Sequence, residues 1–295
     1  ILQFLHYNPS SSRVKIAEAL TKTLNERTLK RIIADSVQKG DIVVEGKGKA
    51  TRYSSSAPAH LTMPLDIDTY FSDDVDERIV QESFNFKLVC DILPNVTLFT
   101  TDEKERLDVA HKAFLANMST LSDVEYRKEM ERLGVDLSWK SSQIEGNTYS
   151  LLETERLLKE KETAQGKTKE EAVMLLNHKD ALDFILDYPD YLKELTVRRI
   201  EDIHSILTKE LGVGSGIRKR RVGITGTNYR PLDNEFKIRE ALEDTCTLIN
   251  GKENVFEKAL LALVLLSYIQ PFTDGNKRTA RISSNAVLMA WGYCP

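Results

Sequence analysis

The sequence predicts a mainly α-helical protein with a short β-hairpin in its C-terminal part and a separate small domain at its N-terminus. Apolar residues from Ile67 onward recur mostly at helical spacing, whereas residues 1–56 combine three helical stretches with two strand-like stretches. The stretch 54–66, "SSSAPAHLTMPLD", is rich in Ser and Pro, and residues 57–66 are predicted to be a linker. The remainder divides into a helical segment, 67–150, and a core, 151–295.

The N-terminal domain is predicted from the order of its elements. Apolar residues at helical spacing mark two short helices, and a third is predicted over Glu26–Lys39, between an N-cap at Asn25 and a stop at Gly40. A strand, a glycine-containing turn and a second strand follow. Residues 1–56 therefore resemble a winged helix-turn-helix.

Charge separates this domain from the rest of the chain. Residues 1–56 hold ten Lys and Arg against five Asp and Glu, and the remaining residues hold 31 against 40. The third helix could place Arg27, Lys30 and Arg31 in a DNA major groove, or these side chains could be the solvated face of a protein-interaction module. Both interpretations stay open.

Composition excludes several other classes. With 41% hydrophobic and 29% charged residues the chain is typical of a folded soluble protein. Its longest apolar run, Ala259 to Ile269, is shorter than the roughly 20 residues needed to span a bilayer. Three scattered cysteines argue against a disulfide framework and favour the cytoplasm. Because it starts at Ile1 without Met and stops at Pro295 soon after a helix, we expect a fragment.

The stretch "QPFTDGNKRTAR", residues 270–281, has the features of a phosphate-binding loop. Pro271 should end an apolar helix, and Gly275 permits a backbone turn that gathers N–H groups into an anion-binding nest. A new helix beginning at Asn276 would direct the positive end of its dipole at the same point. Arg278 and Arg281 share one helical face. The alternative, a helix–turn–helix with a solvated basic face, is disfavoured by so dense a pattern.

This stretch resembles the signature of the Fic family, H-P-F-x-(D/E)-G-N-(G/K)-R-x-x-R. Residues 271–281 match every defined position, with Lys277 as in the related Doc proteins. The resemblance implies the helical Fic fold and transfer of AMP from ATP to a protein hydroxyl, although some members move other phosphate-containing groups. It also implies ATP and Mg²⁺ as cofactors and a protein partner. Carried over by position, it makes Asp274 the metal ligand and assigns the nucleotide phosphates to Thr273, Gly275, Asn276, Lys277, Arg278 and Arg281.

Gln270 departs from the family pattern. It occupies the position of the histidine that takes the proton from the attacking hydroxyl in the family. An amide has no usable basicity, and loss of a positioned general base typically costs about 10²–10⁴-fold in rate. We therefore expect reduced or absent transfer, so that enzymatic activity stays open while nucleotide binding is expected.

Two further segments extend the resemblance. Residues 170–185 resemble the helix before the family's core, with Asn177 and Ala181 at the expected offset. Residues 216–231 predict a β-hairpin with a turn at Gly226-Thr227, and resemble the flap that binds the target peptide by strand addition. The flap residues implied are Val222, Gly223, Ile224 and Thr225. The basic run from Arg218 to Arg221 has two interpretations, a functional contribution near the phosphate site or a solvated basic edge.

The sequence S-x-x-x-E-G, from Ser141 to Glu145 and Gly146, resembles the family's inhibitory helix. That resemblance implies that Glu145 pairs with Arg281 in the space of the γ-phosphate, because a carboxylate and a phosphate compete for one guanidinium. The alternative is a capping box, Ser142-x-x-Glu145. A second such box, Ser150-x-x-Glu153, is predicted to be structural.

Two hypotheses for function follow. In the first, an autoinhibited Fic protein binds ATP–Mg²⁺ and acts on a protein target. In the second, a DNA- or protein-binding regulator uses the Fic domain as a nucleotide sensor. Isolated histidines such as His178 and His204 are assigned ordinary packing roles, since neither has a second ligand at helical spacing. The target, the oligomeric state, including a homodimer, and the DNA site stay open.

Overall fold

The computed structural model describes residues 1–20, 25–64, 66–78 and 81–295. The chain divides into two compact units: unit 1 is Ile1–Arg78 with Asp91–Phe99, and unit 2 is Ile79–Cys90 with Thr100–Pro295. Unit 1 thus extends beyond residue 66, where the sequence predicts the end of the linker. Parts of the predicted N-terminal domain, linker and helical segment, at 21–24, 65 and 79–80, lie outside the described residues.

Unit 1 contains the predicted three helices and hairpin. Its elements are α1 (Leu2–Tyr7), α2 (Arg13–Leu20), α3 (Glu26–Gln38), β1 (Ile42–Glu45), β2 (Arg52–Ser55), α4 (Ala57–Thr62) and α5 (Ile67–Ser72). The side chain of Asn25 caps α3 by accepting a hydrogen bond from the N–H of Thr28, as its position predicts. The two strands pair antiparallel, with Ile42 opposite Ser55. The core of this unit consists of Leu5, Ile16, Leu29, Ile33 and Ile42. The winged-helix assignment itself stays a prediction.

The linker predicted over 57–66 begins instead with helix α4. The hydroxyl of Ser56 accepts a hydrogen bond from the N–H of Ala59, and Pro58 lies in the first turn, where its missing N–H has no helical partner to lose. The residue types that suggested a linker are therefore the ones that start this helix.

Unit 2 is helical and contains the predicted core, so the mainly α-helical class is confirmed. Its helices are α6 (Thr101–Met118), α7 (Asp123–Ile144), α8 (Leu151–Glu160), α9 (Lys169–Asp187), α10 (Val197–Leu207), α11 (Glu235–Gly251), α12 (Val255–Ile269) and α13 (Asn276–Met289). Helix α12 packs against α13 and α11, while α9 and α10 also contact α13. Helix α7 lies against α8 and α9. This packing places the ends of α7 and α12 beside the start of α13.

The positions of the two Ser-x-x-Glu pairs in their helices show which of them is a capping box. Ser150 and Glu153 form a reciprocal capping box at the start of α8, which confirms the structural role predicted for them. Ser142 instead lies in the last turn of α7, and Glu145 is the C-cap of that helix. The capping-box alternative for Ser142 and Glu145 is therefore wrong.

The β-hairpin predicted over 216–231, here called the flap loop, is wrong as a paired ladder. The segment has an irregular backbone with a turn at Thr225-Gly226, one residue before the predicted position. Each leg bonds elsewhere: Arg218 donates its backbone N–H to the carbonyl of Pro271, and Arg230 bonds to the carbonyl of Glu82. Because other segments take these backbone groups, the two legs do not pair with each other.

No helix within the described residues combines the length and the apolar character that a bilayer crossing requires. Cys246 is buried, whereas Cys90 and Cys294 are exposed. The cytoplasmic location stays a prediction.

Candidate functional site

The connection between α12 and α13 contains two left-handed residues. Gln270, the C-cap of α12, has φ 51° and ψ 61°, and Gly275, the N-cap of α13, has φ 77° and ψ 5°. Left-handed backbone is uncommon for a non-glycine side chain, so the conformation at Gln270 has to be held by its surroundings. These two residues turn the chain sharply between the two helices.

A side-chain clamp holds the middle of this loop. The Asn276 side chain accepts a hydrogen bond from the N–H of Phe272 and donates one to the carbonyl of the same residue, both at 2.8 Å. The ring of Phe272 is fully buried and stacks on His204, with 3.8 Å between ring centroids. Loop and helix start are therefore fixed to each other and to α10.

His204 has a more specific role than the packing predicted from sequence. Its Nε2 lies 3.0 Å from the carbonyl oxygen of Asp274. Burial lowers the pKa of His204, which favours the neutral ring whose Nε2–H donates to that carbonyl. The imidazole thus supports the loop from behind and does not line the pocket described below.

Gly275 is needed for both conformation and space. A Cβ at this position would lie 3.1 Å from Cγ2 of Thr208, in a backbone conformation that favours glycine. No side chain caps the start of α13. The first N–H groups of that helix have no partner within a helix and can therefore donate hydrogen bonds to an anion at the loop.

A cavity of about 210 Å³ lies over this helix start. Three segments line it: the loop after α12, the flap loop and the end of α7. The lining residues are Glu145, Val222, Gly223, Ile224, Thr225, Gln270, Thr273, Asp274, Gly275, Asn276 and Lys277. The structure thus brings together most of the site residues predicted from sequence, and the four that do not line the cavity are Ser141, Gly146, Arg278 and Arg281.

The two arginines of the predicted phosphate grip differ in exposure. Arg278 is 2% exposed; its guanidinium lies 3.4 Å from the carboxylate of Asp274 and donates to the carbonyl of Leu207. Burial lowers the pKa of Arg278, and the nearby carboxylates of Asp274 and Glu145 oppose that shift. The guanidinium remains charged and places a positive charge directly behind the helix start.

Arg281 is bound to the end of α7. Its Nη2 lies 2.7 Å from Oε1 of Glu145, its Nε donates to the Ser141 hydroxyl at 2.9 Å, and Nη2 also reaches the Ser141 carbonyl at 3.1 Å. Gly146 follows with φ 91°, which ends the helix directly after Glu145. The carboxylate of Glu145 therefore occupies one side of the cavity and engages the guanidinium that the sequence assigns to phosphate.

Gln270 lies beside the cavity without a basic group. Its side-chain amide donates to the carbonyl of Ser267 at 2.7 Å, and the residue is 7% exposed. The titratable residues among those lining the cavity are Glu145, Asp274 and Lys277. No imidazole lines this cavity, so the described lining supplies no histidine base in place of Gln270.

The residues that line the cavity could bind Mg²⁺ only if a phosphate supplied further oxygen ligands. The described residues contain no group of three or more His, Cys, Asp or Glu side chains arranged to hold a metal. Asp274 presents one carboxylate at the cavity. Mg²⁺ commonly binds through one or two carboxylates together with substrate phosphate oxygens, and Asp274 fits that mode.

Sequence reasoning missed the role of Arg218. This residue is 3% exposed and donates to the carbonyls of Gln270 at 2.7 Å, Arg220 at 2.8 Å and Leu232 at 2.5 Å. Arg218 is therefore not part of a solvated edge, whereas Lys219, Arg220 and Arg221 of the same run are exposed. A contribution of the run to the phosphate site stays a prediction. Arg218 fastens the flap loop to the backbone of Gln270.

Tyr229 secures the other leg of the flap loop. Its hydroxyl donates to the carbonyl of Tyr268, and the two rings stack with 4.7 Å between centroids. Both legs thus bond to carbonyls at the end of α12, which have no partner within the helix. The C-terminal end of α12 is the anchor for the cavity wall.

Residues 194–288 match the sequence profile of the Fic/DOC family. This part of the chain is therefore similar to Fic/DOC family domains, in agreement with the motif. Over 159 residues the chain is 31% identical to the protein adenylyltransferase fic-1 of Caenorhabditis elegans. That alignment covers 52% of this chain and 31% of the C. elegans protein, so the chain spans about a third of its relative.

Solved structures share the fold. The structure of Fic-1 from C. elegans (residues 134–508) has a TM-score of 0.56 at 23% identity and covers 66% of this chain and 59% of that one. A Fic domain-containing signaling protein from Bacteroides thetaiotaomicron has a TM-score of 0.54 at 22% identity, covering 64% and 73%. The Fic fold predicted from the motif is confirmed.

Proposed function

We propose that the cavity binds the phosphates of ATP–Mg²⁺, and that Glu145 opposes this binding by occupying Arg281. The observation that carries the proposal is the cavity itself, where an uncapped helix start, Asp274 and Lys277 meet. The Arg278 guanidinium lies directly behind them. Such an arrangement combines helix-dipole, metal and cationic groups for one polyphosphate.

The reaction class follows from the relatives. Proteins named protein adenylyltransferase match half of this chain, which supports AMP transfer to a protein hydroxyl as the parent reaction. In this chain Gln270 has no proton-accepting side chain, and its amide is already bonded to Ser267. Nucleotide binding without efficient transfer is therefore the proposed state of this protein.

The test compares the unmodified chain with the variants Gln270→His and Glu145→Gly. Calorimetry with ATP and Mg²⁺ should show binding by both proteins. Radiolabel transfer from ATP to protein should rise about 10²-fold or more in Gln270→His, because a positioned base is restored. Strong transfer by the unmodified chain would refute the loss of the base, and absence of ATP binding by Glu145→Gly would refute the site.

A second candidate function is DNA or protein recognition by unit 1. Arg27 and Arg31 are exposed on α3, and residues 1–56 carry the excess of basic charge. Lys30 contributes less, because it forms an ion pair with Glu26 at 3.1 Å. Electrophoretic shifts of a mixed-sequence DNA duplex by the full chain and by Arg27→Glu/Arg31→Glu test this candidate. A shift that persists in the double variant excludes recognition through α3, and the absence of any salt-sensitive shift excludes DNA binding.

A further inference from the structure

The segment after Glu145 is fixed by a residue of another helix. Glu171, in the first turn of α9, accepts two hydrogen bonds at its Oε1 from Thr148, one from the backbone N–H at 2.8 Å and one from the hydroxyl at 2.6 Å. The side chain of Asn147 donates to the backbone carbonyl of Glu171 at 2.9 Å. Two consecutive residues after Gly146 are thus bound to one residue of α9.

The second carboxylate oxygen of Glu171 holds its own helix. Oε2 accepts from the N–H of Thr168 at 3.0 Å and from its hydroxyl at 3.2 Å, completing the capping box of α9. The hydrogen bonds from Thr148 and Thr168 lower the pKa of Glu171 to about 2, so the carboxylate is charged at any physiological pH. One side chain therefore joins the start of α9 to the chain beyond α7.

Neighbouring contacts support the same segment. The ammonium group of Lys167 donates to the carbonyl of Thr148 at 2.7 Å, and the indole N–H of Trp139 donates to the carbonyl of Tyr149 at 3.0 Å. Between this bound segment and Glu145 lies only Gly146, where a Cβ would meet nothing within 4 Å. The backbone here also closes the end of α7, because Glu145 and Asn147 both donate their N–H groups to the carbonyl of Ser142 at 3.0 Å. The position of Glu145 therefore depends on these bonds together with the contacts that hold residues 147–149.

We propose that Glu171 is a positioning residue for Glu145: by fixing residues 147–148 it keeps the Glu145 carboxylate on Arg281. Releasing this contact allows the end of α7 to leave the cavity and frees the guanidinium for phosphate. The apparent affinity for nucleotide then rises with the fraction of molecules in which Arg281 is free. This inference rests on the proposed function, in which the cavity binds ATP.

The experiment measures the Kd of ATP–Mg²⁺ by calorimetry for the unmodified chain, Glu145→Gly, Glu171→Gln and the double variant. Glu171→Gln should bind ATP about tenfold more tightly than the unmodified chain, without exceeding Glu145→Gly. The double variant should bind no more tightly than Glu145→Gly, because Glu171 acts through Glu145. An unchanged or weakened affinity in Glu171→Gln overturns the inference, and so does additivity in the double variant.

A matched control separates positioning from loss of a helix cap. Glu125 completes a capping box with Ser122 at the start of α7, the opposite end of the same helix. Glu125→Gln removes a cap of the same kind without touching residues 147–149, so its ATP affinity should stay unchanged. Equal tightening in Glu125→Gln would mean that any loosening of α7 suffices, which overturns the specific role of Glu171.

Hydrogen exchange in the absence of ATP gives a second readout. Amides of residues 145–149 should exchange faster in Glu171→Gln than in Glu125→Gln. Equal exchange in the two variants would mean that Glu171 does not fix this segment, which overturns the inference. If Glu145→Gly fails to bind ATP, the proposed function fails; if it binds tightly and Glu171→Gln does not, only this inference fails. If Glu171→Gln does not fold, Thr148→Val replaces it in the test. Its Kd for ATP–Mg²⁺ should fall about threefold, a smaller effect because the bond from the Thr148 backbone N–H to Glu171 remains.

Discussion

Oε1 of Glu145 lies 2.7 Å from Nη2 of Arg281, and the same guanidinium is bonded to Ser141 one helical turn earlier. Both side chains of the ion pair are less than a quarter exposed. A phosphate that binds Arg281 has to break this charge-assisted contact first, because both anions use the same donors.

Removing the charge of Glu145 should therefore strengthen ATP binding. In Glu145→Gln we expect the Kd of ATP–Mg²⁺ to fall roughly tenfold, since a charge-assisted hydrogen bond contributes about 1.5–3 kcal/mol and 1.4 kcal/mol is a factor of ten. Calorimetry measures the change. Glu129→Gln, on the same helix and paired with the exposed Arg132, is the control and should leave the Kd unchanged. A Kd in Glu145→Gln equal to that of the control would contradict competition for Arg281.

Asp274 should make ATP binding dependent on Mg²⁺. Its carboxylate is 67% exposed at the cavity and contacts the Arg278 guanidinium at 3.4 Å on one side, so its exposed side can bind a cation that bridges phosphate oxygens. In Asp274→Asn we expect affinity in Mg²⁺ to fall roughly tenfold or more, because one lost charged contact is worth about 1.5–3 kcal/mol. Affinity in EDTA should not fall, because the substitution removes a negative charge near the phosphates.

The matched control for Asp274 is Asp233→Asn. Asp233 pairs with Arg221 and does not line the cavity. Titrations with and without Mg²⁺ should give it the same metal dependence as the unmodified chain. If Asp274→Asn keeps that dependence too, Asp274 does not bind the metal.

Gly275 should tolerate no side chain. Gly275→Ala places a Cβ 3.1 Å from Cγ2 of Thr208 at φ 77°, whereas Gly212 has φ 68° with nothing within 4 Å. In both variants the left-handed backbone of alanine lowers the free energy of unfolding by about 1–2 kcal/mol. Gly275→Ala adds the steric conflict with Thr208. Urea unfolding should therefore show the larger loss of stability for Gly275→Ala, and calorimetry should show that it alone loses ATP binding. Equal effects of the two substitutions would contradict the close packing at Gly275.

The loop that contains Gly275 was predictable because the residues that determine its shape are adjacent in the sequence. Pro271 ends a helix, Gly275 supplies the left-handed turn and Asn276 starts the next helix, all within six positions of the chain. The Ser141-to-Gly146 pattern likewise indicated a contact with Arg281, although only through resemblance to a family. Local residue types were sufficient for the loop, whereas the contact of Glu145 with Arg281 was implied only by the resemblance.

The supports of the loop were not predictable in this way. Arg218 binds the carbonyl of Gln270 from 52 positions away, and His204 reaches Asp274 from 70 positions away. Neither residue type indicates such a contact, and alternating Val222 and Ile224 indicated strands that do not pair. These features depend on how α10, α12 and the flap loop pack together, which a single sequence does not reveal.

Arg218 should be required for stability of the flap loop. Arg218→Met keeps much of the side-chain volume but leaves the carbonyls of Gln270, Arg220 and Leu232 without this donor. We expect a loss of about 2–4 kcal/mol, because buried acceptors lose their partner. The exposed Arg220→Met is the control and should change stability by less than about 0.5 kcal/mol. Urea unfolding measures both, and faster hydrogen exchange in residues 219–229 should accompany the loss. Similar stability of the two variants would show that the three carbonyl contacts contribute little.

His178 should make unit 2 sensitive to mild acid. This ring is 1% exposed, its Nδ1 lies 3.3 Å from the Ser138 hydroxyl, and burial together with the charges of Arg281 and Arg278 lowers its pKa to about 3. Below pH 6.5 the imidazole becomes protonated in the unfolded state but stays neutral in the folded state. The free energy of unfolding should therefore fall as the pH drops from 6.5 towards 3, by up to about 1.4 kcal/mol per pH unit from this group. His178→Gln cannot titrate and should reduce that slope. Urea unfolding followed by the fluorescence of Trp139 and Trp291, both in unit 2, at pH 7, 6 and 5 measures it above the range where carboxylates titrate. An identical slope in the two proteins would mean that His178 is protonated in the folded state.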